Sequence, residues 1–568
     1  MIRKQINYKQ SSKLIILILT FSLVFIMFSA ISAVSADQFT IYVGGSSGND
    51  AYDGQSAIWD GTSGPKSTIK NATGTVLDGG TIILANGVYT GTGNTNIAIK
   101  KNVTIIGQSR TGTIINGGNS GTIFYIQSGE NVVIQNLTFK NGSTVGYSTG
   151  YGGAINNNGN LIVNYCIFTD NTAESVFYSQ ITGYGGAIYN SGGTLTVANS
   201  IFTGNKAYYG GAIYSNGPLT VKNCNFTGNT AAVYNATSGS SIIINGGIVG
   251  GNGGAISNGG ISTITGNTFV GNTANTNGGA IWNTGTLNVH FNRIVGNTAS
   301  YGSAIYNAGG STVNATLNWW GSNANPSGRI YGNVNVSKWL ILTLTADIAS
   351  IKTNGTSTIK ADLLHDSQGG YHDPASGHVP NGIRVNFATT LGTISGQSSI
   401  INGIAQSSLK GIPVASVTTV SAKIDNQNVT KILDTIPPKV ISTNPSNGAT
   451  GVSRTATIAI KFSENIKSST NWSKIYMKNL TTGKIVTITT SITGNTLYIK
   501  MSLSRLRNNT YQIYIPAAAV KDNANNNLTA AYSFKFKSAW IKISFFLFLL
   551  KLTAYFKLYG FAFYEFNS

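Results

Sequence analysis

The chain has 568 residues, of which only 10% are charged, and its formal net charge is +20. With 69 glycines and abundant asparagine, serine and threonine, this composition excludes helical bundles and suits a secreted β protein. The charge is uneven. Residues 37–340 carry 11 basic and 8 acidic side chains, and residues 341–537 carry 19 and 8. The chain has no arginine-rich helix or basic–aromatic motif, so nucleic acid is excluded as a partner. A basic distal half suits an anionic wall or glycan surface instead.

Residues 1–36 read as a signal peptide. Arg3, Lys4, Lys9 and Lys13 precede an apolar run from Leu14 to Ile31, and Val34-Ser35-Ala36 offers a small-residue cleavage site. Retained, the same run would serve as an anchor. Asn-x-Ser/Thr sequons occur at Asn141, Asn235, Asn314 and Asn479.

Residues 37–80 read as the entry cap of a repetitive region. The turn-rich loop Gly48–Gly54 holds Asn49, Asp50 and Asp53. Those are hard oxygen donors that suit calcium, or equally a solvated loop.

From residue 150 one stretch recurs. Gly185-Gly186-Ala187-Ile188-Tyr189-Asn190 leads to Phe202-Thr203-Gly204-Asn205, and copies follow from Gly210 and Gly278, with weaker ones from Gly152, Gly253 and Gly302. A fixed period of 24 to 25 residues means a solenoid. Inside each repeat Leu195-x-Val197 and Leu219-x-Val221 alternate at strand spacing. The predicted fold is a right-handed single-stranded parallel β-helix over residues 37–335, one coil per repeat. Stacked coils place Ile188, Ile213, Ile281 and Ile305 in one inward column. Phe168, Phe202, Phe226 and Phe269 make a second, and Asn171, Asn205, Asn229, Asn272 and Asn297 a third. The longer gap between Asn229 and Asn272 is read as a degenerate coil through Val233-Tyr234-Asn235 and Val249–Asn252. Cys166 and Cys224 share one register position two coils apart, so they are expected as unpaired thiols. Asn318-Trp319-Trp320-Gly321 breaks the pattern and should plug the far end.

The texture changes at Val336. Short strands at sandwich spacing predict two immunoglobulin-like β-sandwiches, at 336–434 and 435–537, joined by the stiff Asp434-Thr435-Ile436-Pro437-Pro438. Residues 538–568 are apolar and aromatic, but lysines interrupt them. They read as a possible membrane anchor or an interfacial tail.

The Gly-Gly-Ala-Ile and Phe-x-x-Asn pair resembles the repeats of chlamydial polymorphic membrane proteins. The whole arrangement is similar to adhesin-like surface proteins of methanogenic archaea, including Asn318–Gly321 and the loop Leu364-His365-Asp366…His372-Asp373-Pro374. Residues 340–433 resemble invasin-type Ig-like domains. Residues 437–537, with Phe462-Ser463-Glu464 and Val520-Lys521-Asp522, resemble Ig-like modules of S-layer-type proteins. The resemblance implies a β-helix of the pectate-lyase-like kind on a cell surface or in a cell envelope, with a role in attachment.

Polysaccharide cleavage on a β-helix needs paired carboxylates or carboxylate-held calcium with a basic residue. Between 120 and 340 the acids are Glu130, Asp170 and Glu174, without repeat-register partners. An enzyme is therefore not expected, and a lyase or hydrolase remains an alternative through Asp60 and Asp78 near the cap. His365, His372 and His378 could bind zinc or be polar loop residues. No cofactor is expected. The position after the inward isoleucine holds Asn156, Tyr189, Tyr214, Ser257, Trp282 and Tyr306, and its variability marks it as outward-facing. Tyr189 with Tyr214, and Trp282 with Tyr306, are expected as aromatic pairs on adjacent coils. They offer either a site for neutral glycans or a ladder that only stabilises a stalk. Expected partners are cell-surface glycans or envelope polymers.

Overall fold

The structure is a computed structural model that describes residues 39–145, 150–177, 180–232, 251–347, 356–412 and 416–540. The signal segment, the apolar tail beyond residue 540 and the sequon at Asn235 lie outside them. Among the described residues no helix is long and apolar enough to cross a membrane.

Three parallel sheets of eleven, nine and eight strands run the length of a β-helix, with a fourth, four-stranded sheet along one corner. Each coil between the ends contributes one short strand to each long sheet. The entry end is covered by helix α1 (Ile69–Thr75). The Thr68 hydroxyl accepts from the Asn71 amide at its N-terminus, and α1 buries Ile69 and Ala72 against the first coil.

The repeated residues have separate physical jobs. The first glycine of each Gly-Gly pair sits at positive φ, as at Gly185 (65°), where a side chain would be strained. The second touches the next coil: a Cβ on Gly186 would lie 2.1 Å from the Gly211 carbonyl. The isoleucines that follow are fully buried. Phe139, Phe168, Phe202, Phe226 and Phe269 stack with centroids 4.7–4.9 Å apart. In the asparagine column each buried amide is satisfied. Asn205 Nδ2 donates to Asn229 Oδ1 (2.9 Å) and to the Phe168 carbonyl (3.0 Å), and Asn229 Oδ1 also accepts the Asn205 amide.

That column corrects the reading of the gap after Asn229. Asn229 Nδ2 donates directly to Asn272 Oδ1 (2.9 Å), and Ile213 pairs with Ile256. No coil intervenes between these two, and residues 233–250, which carry most of the expected degenerate coil, lie outside the described residues. Asn252 is not a repeat-end asparagine. It pairs with Tyr209, the residue that precedes a Gly-Gly. The sequence misled because Val-Tyr-Asn imitates the repeat, while register is set by what each coil stacks on.

Cys166 and Cys224 are free and buried, with one coil between them. Cys166 donates its amide to Ser200 Oγ (3.1 Å), and Ser200 donates its amide to Cys224 Sγ (3.5 Å). Burial pushes both thiols up to about 12.

The two tryptophans at the far end divide. Trp320 packs into the β-helix core, whereas Trp319 belongs to the core of the first sandwich. That sandwich has two four-stranded antiparallel sheets, and the second has two of four strands plus a short pair. The sandwich strand Gln427–Asp434 runs into the linker. This strand and Val440–Asn444 are not evident in the sequence because exposed residues break their alternation, and Tyr476–Asn479 is short and puts the polar Asn479 at a buried position. Asn479 is 2% exposed and bonded to Tyr511, so this sequon does not offer its amide to the surface.

Candidate aromatic surface site

The tight Gly-Gly-Ala turn has an outward residue at each end, so one repeat supplies two neighbouring positions. The position after isoleucine forms a column in strand register, Tyr125, Asn156, Tyr189, Tyr214, Ser257, Trp282, Tyr306 and Tyr331. The position before the glycines forms a second column, Tyr151, Tyr184, Tyr209, Asn252, Asn277 and Tyr301. This second column is absent from the sequence reading. Its signal was available, because a tyrosine or asparagine precedes every Gly-Gly or Gly-Ser start at the repeat period.

The rings mesh into one field. Tyr189 and Tyr214 stack with centroids 5.6 Å apart and planes 18° apart, and Tyr184 and Tyr209 at 5.2 Å and 11°. Tyr151 stacks on Tyr189 at 4.6 Å. Trp282 and Tyr306 are register partners but turn to different neighbours. Trp282 tilts toward Tyr209 (5.7 Å) across the coil that lacks rings, and Tyr306 stacks on Tyr331 (4.7 Å, 4°). The expected second pair is therefore replaced by two separate contacts.

Stacking along the axis fixes what the field can do. Faces of the inner rings are spent on each other, so those rings present edges and hydroxyls. Tyr301 and Tyr331 are 56% and 49% exposed and end the field. Burial first, then the neighbouring phenols, push Tyr189 up to about 12, so it stays a neutral donor across ordinary pH. Burial also raises Tyr184 and Tyr209. At the two interruptions, Asn156 Oδ1 and Ser257 Oγ are buried without a hydrogen-bond partner.

Other candidates resolve locally. Burial pushes Asp50 upward, but hydrogen bonds from Thr68 and Ser67 outweigh it and hold the carboxyl below its ordinary value. Asp53 accepts from Gln55, Ser63 and Gly64, so both carboxylates are engaged by the cap itself. His365 pairs with Asp362 and His372 with Asp366, each at 2.8 Å, while His378 bonds the Val379 carbonyl. Arg293, which has no carboxylate nearby in sequence, is held by Asp425 of the first sandwich. Where the linker meets the second sandwich, Asp434, Glu464 and Asp522 bring carboxylate oxygens within 4.8 Å of one another. Burial first, then the charges of Asp522 and Asp434, push Glu464 up to about 7.

The fold and this surface define a β-helix with an outward aromatic field, followed by Ig-like sandwiches. Residues 434–538 match the family model of a bacterial Ig-like domain, and residues 165–191, 199–216 and 268–284 match the Chlamydia polymorphic membrane protein repeat. No curated protein matches the chain. Among solved structures it is similar to InvD of Yersinia pseudotuberculosis (14% identity, 35% of this chain, 57% of that one, TM-score 0.21). It is also similar to the adhesin InvE of the same organism (14%, 35%, 58%, 0.17). A third is the 282-residue C-terminal fragment of intimin, in complex with the intimin-binding domain of the translocated intimin receptor (13%, 34%, 63%, 0.16). The chain thus spans less than two thirds of each, and at these scores the likeness carries no functional argument.

Proposed function

We propose that this chain is an adhesin-like protein of the cell surface or envelope, whose β-helix attaches to neutral glycans through the aromatic field around Tyr189, Tyr214, Trp282 and Tyr306. One observation carries the reading: two columns of outward rings run along one side of a nearly neutral solenoid. Neutral phenol edges suit sugar hydroxyls, and the tilted indole of Trp282 and the end ring Tyr331 suit the apolar faces of pyranose rings. The chlamydial-type repeats and the bacterial Ig-like domain support a place outside the cell. The basic sandwiches add a separate, salt-sensitive attraction to anionic surfaces.

A second reading is favoured by the mutual stacking of the inner rings, which stabilises the sheet and makes the β-helix a stalk without a ligand. The test is Trp282→Ala combined with Tyr306→Ala in the whole chain, followed by attachment to cells and to immobilised neutral glycans at two salt concentrations. Weakened, salt-insensitive attachment supports the aromatic site. Unchanged attachment, with the fold intact by circular dichroism, leaves the stalk.

A further inference from the structure

Next to the tyrosine columns the β-helix carries a slot that arises from unequal turns on three successive coils. Ile126, Asn157 and Asn190 are register partners, as are Val132, Leu161 and Leu195 on the next sheet. The connection is Gln127–Asn131 on the first coil, Asn158–Asn160 on the second and Ser191–Thr194 on the third. The middle turn is the shortest, so its neighbours stand above it as walls. Two coil spacings separate those walls, about 10 Å. The shallow, open groove between them has a volume of about 820 Å³ and is lined by Gln127, Ser128, Asn158, Asn160 and Ser191 with Gly129, Gly159, Gly192 and Gly193.

The floor is rigid. Asn157 Nδ2 donates to the Gly159 carbonyl (2.8 Å), and the Gly159 amide donates to Asn157 Oδ1 (3.2 Å). A Cβ on Gly193 would lie 1.8 Å from the Gly159 carbonyl, so the third coil sits hard against the floor. The lining carries no charge. Asn158 Oδ1 accepts from Ser191 Oγ (2.5 Å), which leaves the Asn158 amide donors, and the side chains of Gln127 and Ser128, without a hydrogen bond to any described residue. The slot starts where the aromatic column is interrupted, since Asn156 lies two residues before this coil's turn and between Tyr125 and Tyr189.

We infer that this slot binds a neutral saccharide, one or two sugar units seated between the Gln127–Gly129 and Ser191–Gly193 walls. Amide and hydroxyl groups that can both donate and accept match a polyhydroxylated ring. An anionic ligand would find no counter-charge in the lining, and a flat aromatic one no face to stack on. The inference deepens the attachment reading and rests on it: the slot holds a glycan by hydrogen bonds while the adjoining tyrosines meet the rest of the chain.

The experiment measures binding of neutral hexose tetrasaccharides (cello-, malto- and mannotetraose) to the whole chain by saturation-transfer NMR and calorimetry. Gly192 has open space where a side chain would go and no positive φ, so Gly192→Trp fills the slot without strain. Gly310 is equally open on a distant turn, and Gly310→Trp controls for added bulk. Binding weakened about tenfold or more by Gly192→Trp, weakened by Asn158→Ala and unaffected by Gly310→Trp is the expected result. Binding unchanged by Gly192→Trp but lost in Tyr189→Ala overturns the slot and leaves the aromatic reading standing. If no tetrasaccharide binds the unmodified chain, both fall.

Discussion

The indole Nε1 of Trp319 donates to Asp425 Oδ2 at 2.7 Å. Trp319 lies near the far end of the β-helix, beside Arg293, and Asp425 is the corner between two strands of the first sandwich. The same carboxylate is paired with Arg293, and the Asn426 amide donates to the Gly321 carbonyl (3.2 Å). The two domains are therefore fastened through a half-buried charge, and Trp319 fills the sandwich's core rather than the helix's. Asp425→Ala would strand the Arg293 guanidinium and the indole N–H, at a cost of about 3 kcal/mol. The urea midpoint of the β-helix and that of the first sandwich should fall together. A drop confined to the sandwich would show that the junction is not shared.

Asn229 lies mid-ladder, so Asn229→Ala removes the acceptor for Asn205 and the donor to the Phe202 carbonyl and to Asn272. The expected loss is about 3 kcal/mol, because buried groups are left unpaired. Amide exchange should accelerate first in the coils that hold Asn205 and Asn272. Uniform acceleration from cap to tip would argue that the coils open as one unit.

Ser257 is fully buried, and its hydroxyl has no partner. Ser257→Ala deletes an unsatisfied group from the floor of the aromatic field and should stabilise the protein by up to about 1 kcal/mol. A thermal scan that shows destabilisation would mean the hydroxyl is satisfied in solution.

Glu464 supplies a pH dependence with a definite sign. Its carboxyl is raised from an ordinary 4.5 to about 7. Below 4.5 it is protonated both folded and unfolded and costs nothing. Between 4.5 and about 7 the unfolded chain ionises while the folded one, facing Asp434 and Asp522, keeps the proton, so stability falls. Above about 7 the loss levels off. Amide exchange in strands Ile458–Phe462 and Thr510–Ile515 should speed up over this window, and Glu464→Gln should flatten the slope. An unchanged slope in that variant would place its origin elsewhere.

The β-helix was legible in the sequence because its constraints repeat. Left-handed turns demand glycine, buried amides demand a partner one coil away, and stacked rings demand one at the same position, so each rule is written coil after coil. Apart from the ring column before the glycines, which repeats with the coils, what was missed obeys no period. The Arg293–Asp425–Trp319 contact joins residues far apart in the chain, and the Asp434–Glu464–Asp522 group forms only when linker and sandwich meet. The false coil at Val233–Asn252 shows the converse limit, since a local imitation of the repeat says nothing about what lies above and below it. Within the aromatic field, Tyr189 and Tyr214 followed from strand register, whereas the swing of Trp282 toward Tyr209 depends on the ring-free coil of Asn252 and Ser257.

The direct bond between Asn229 and Asn272 has a practical consequence. The chain departs after Ala232 and returns at Gly251, and the coils before and after stay in step as though nothing had been added. The number of residues between Ala232 and Gly251 is therefore uncoupled from the register of the described coils, so foreign peptides could be spliced in there. The solenoid could then serve as a display frame, gaining new epitopes without renegotiating its own assembly.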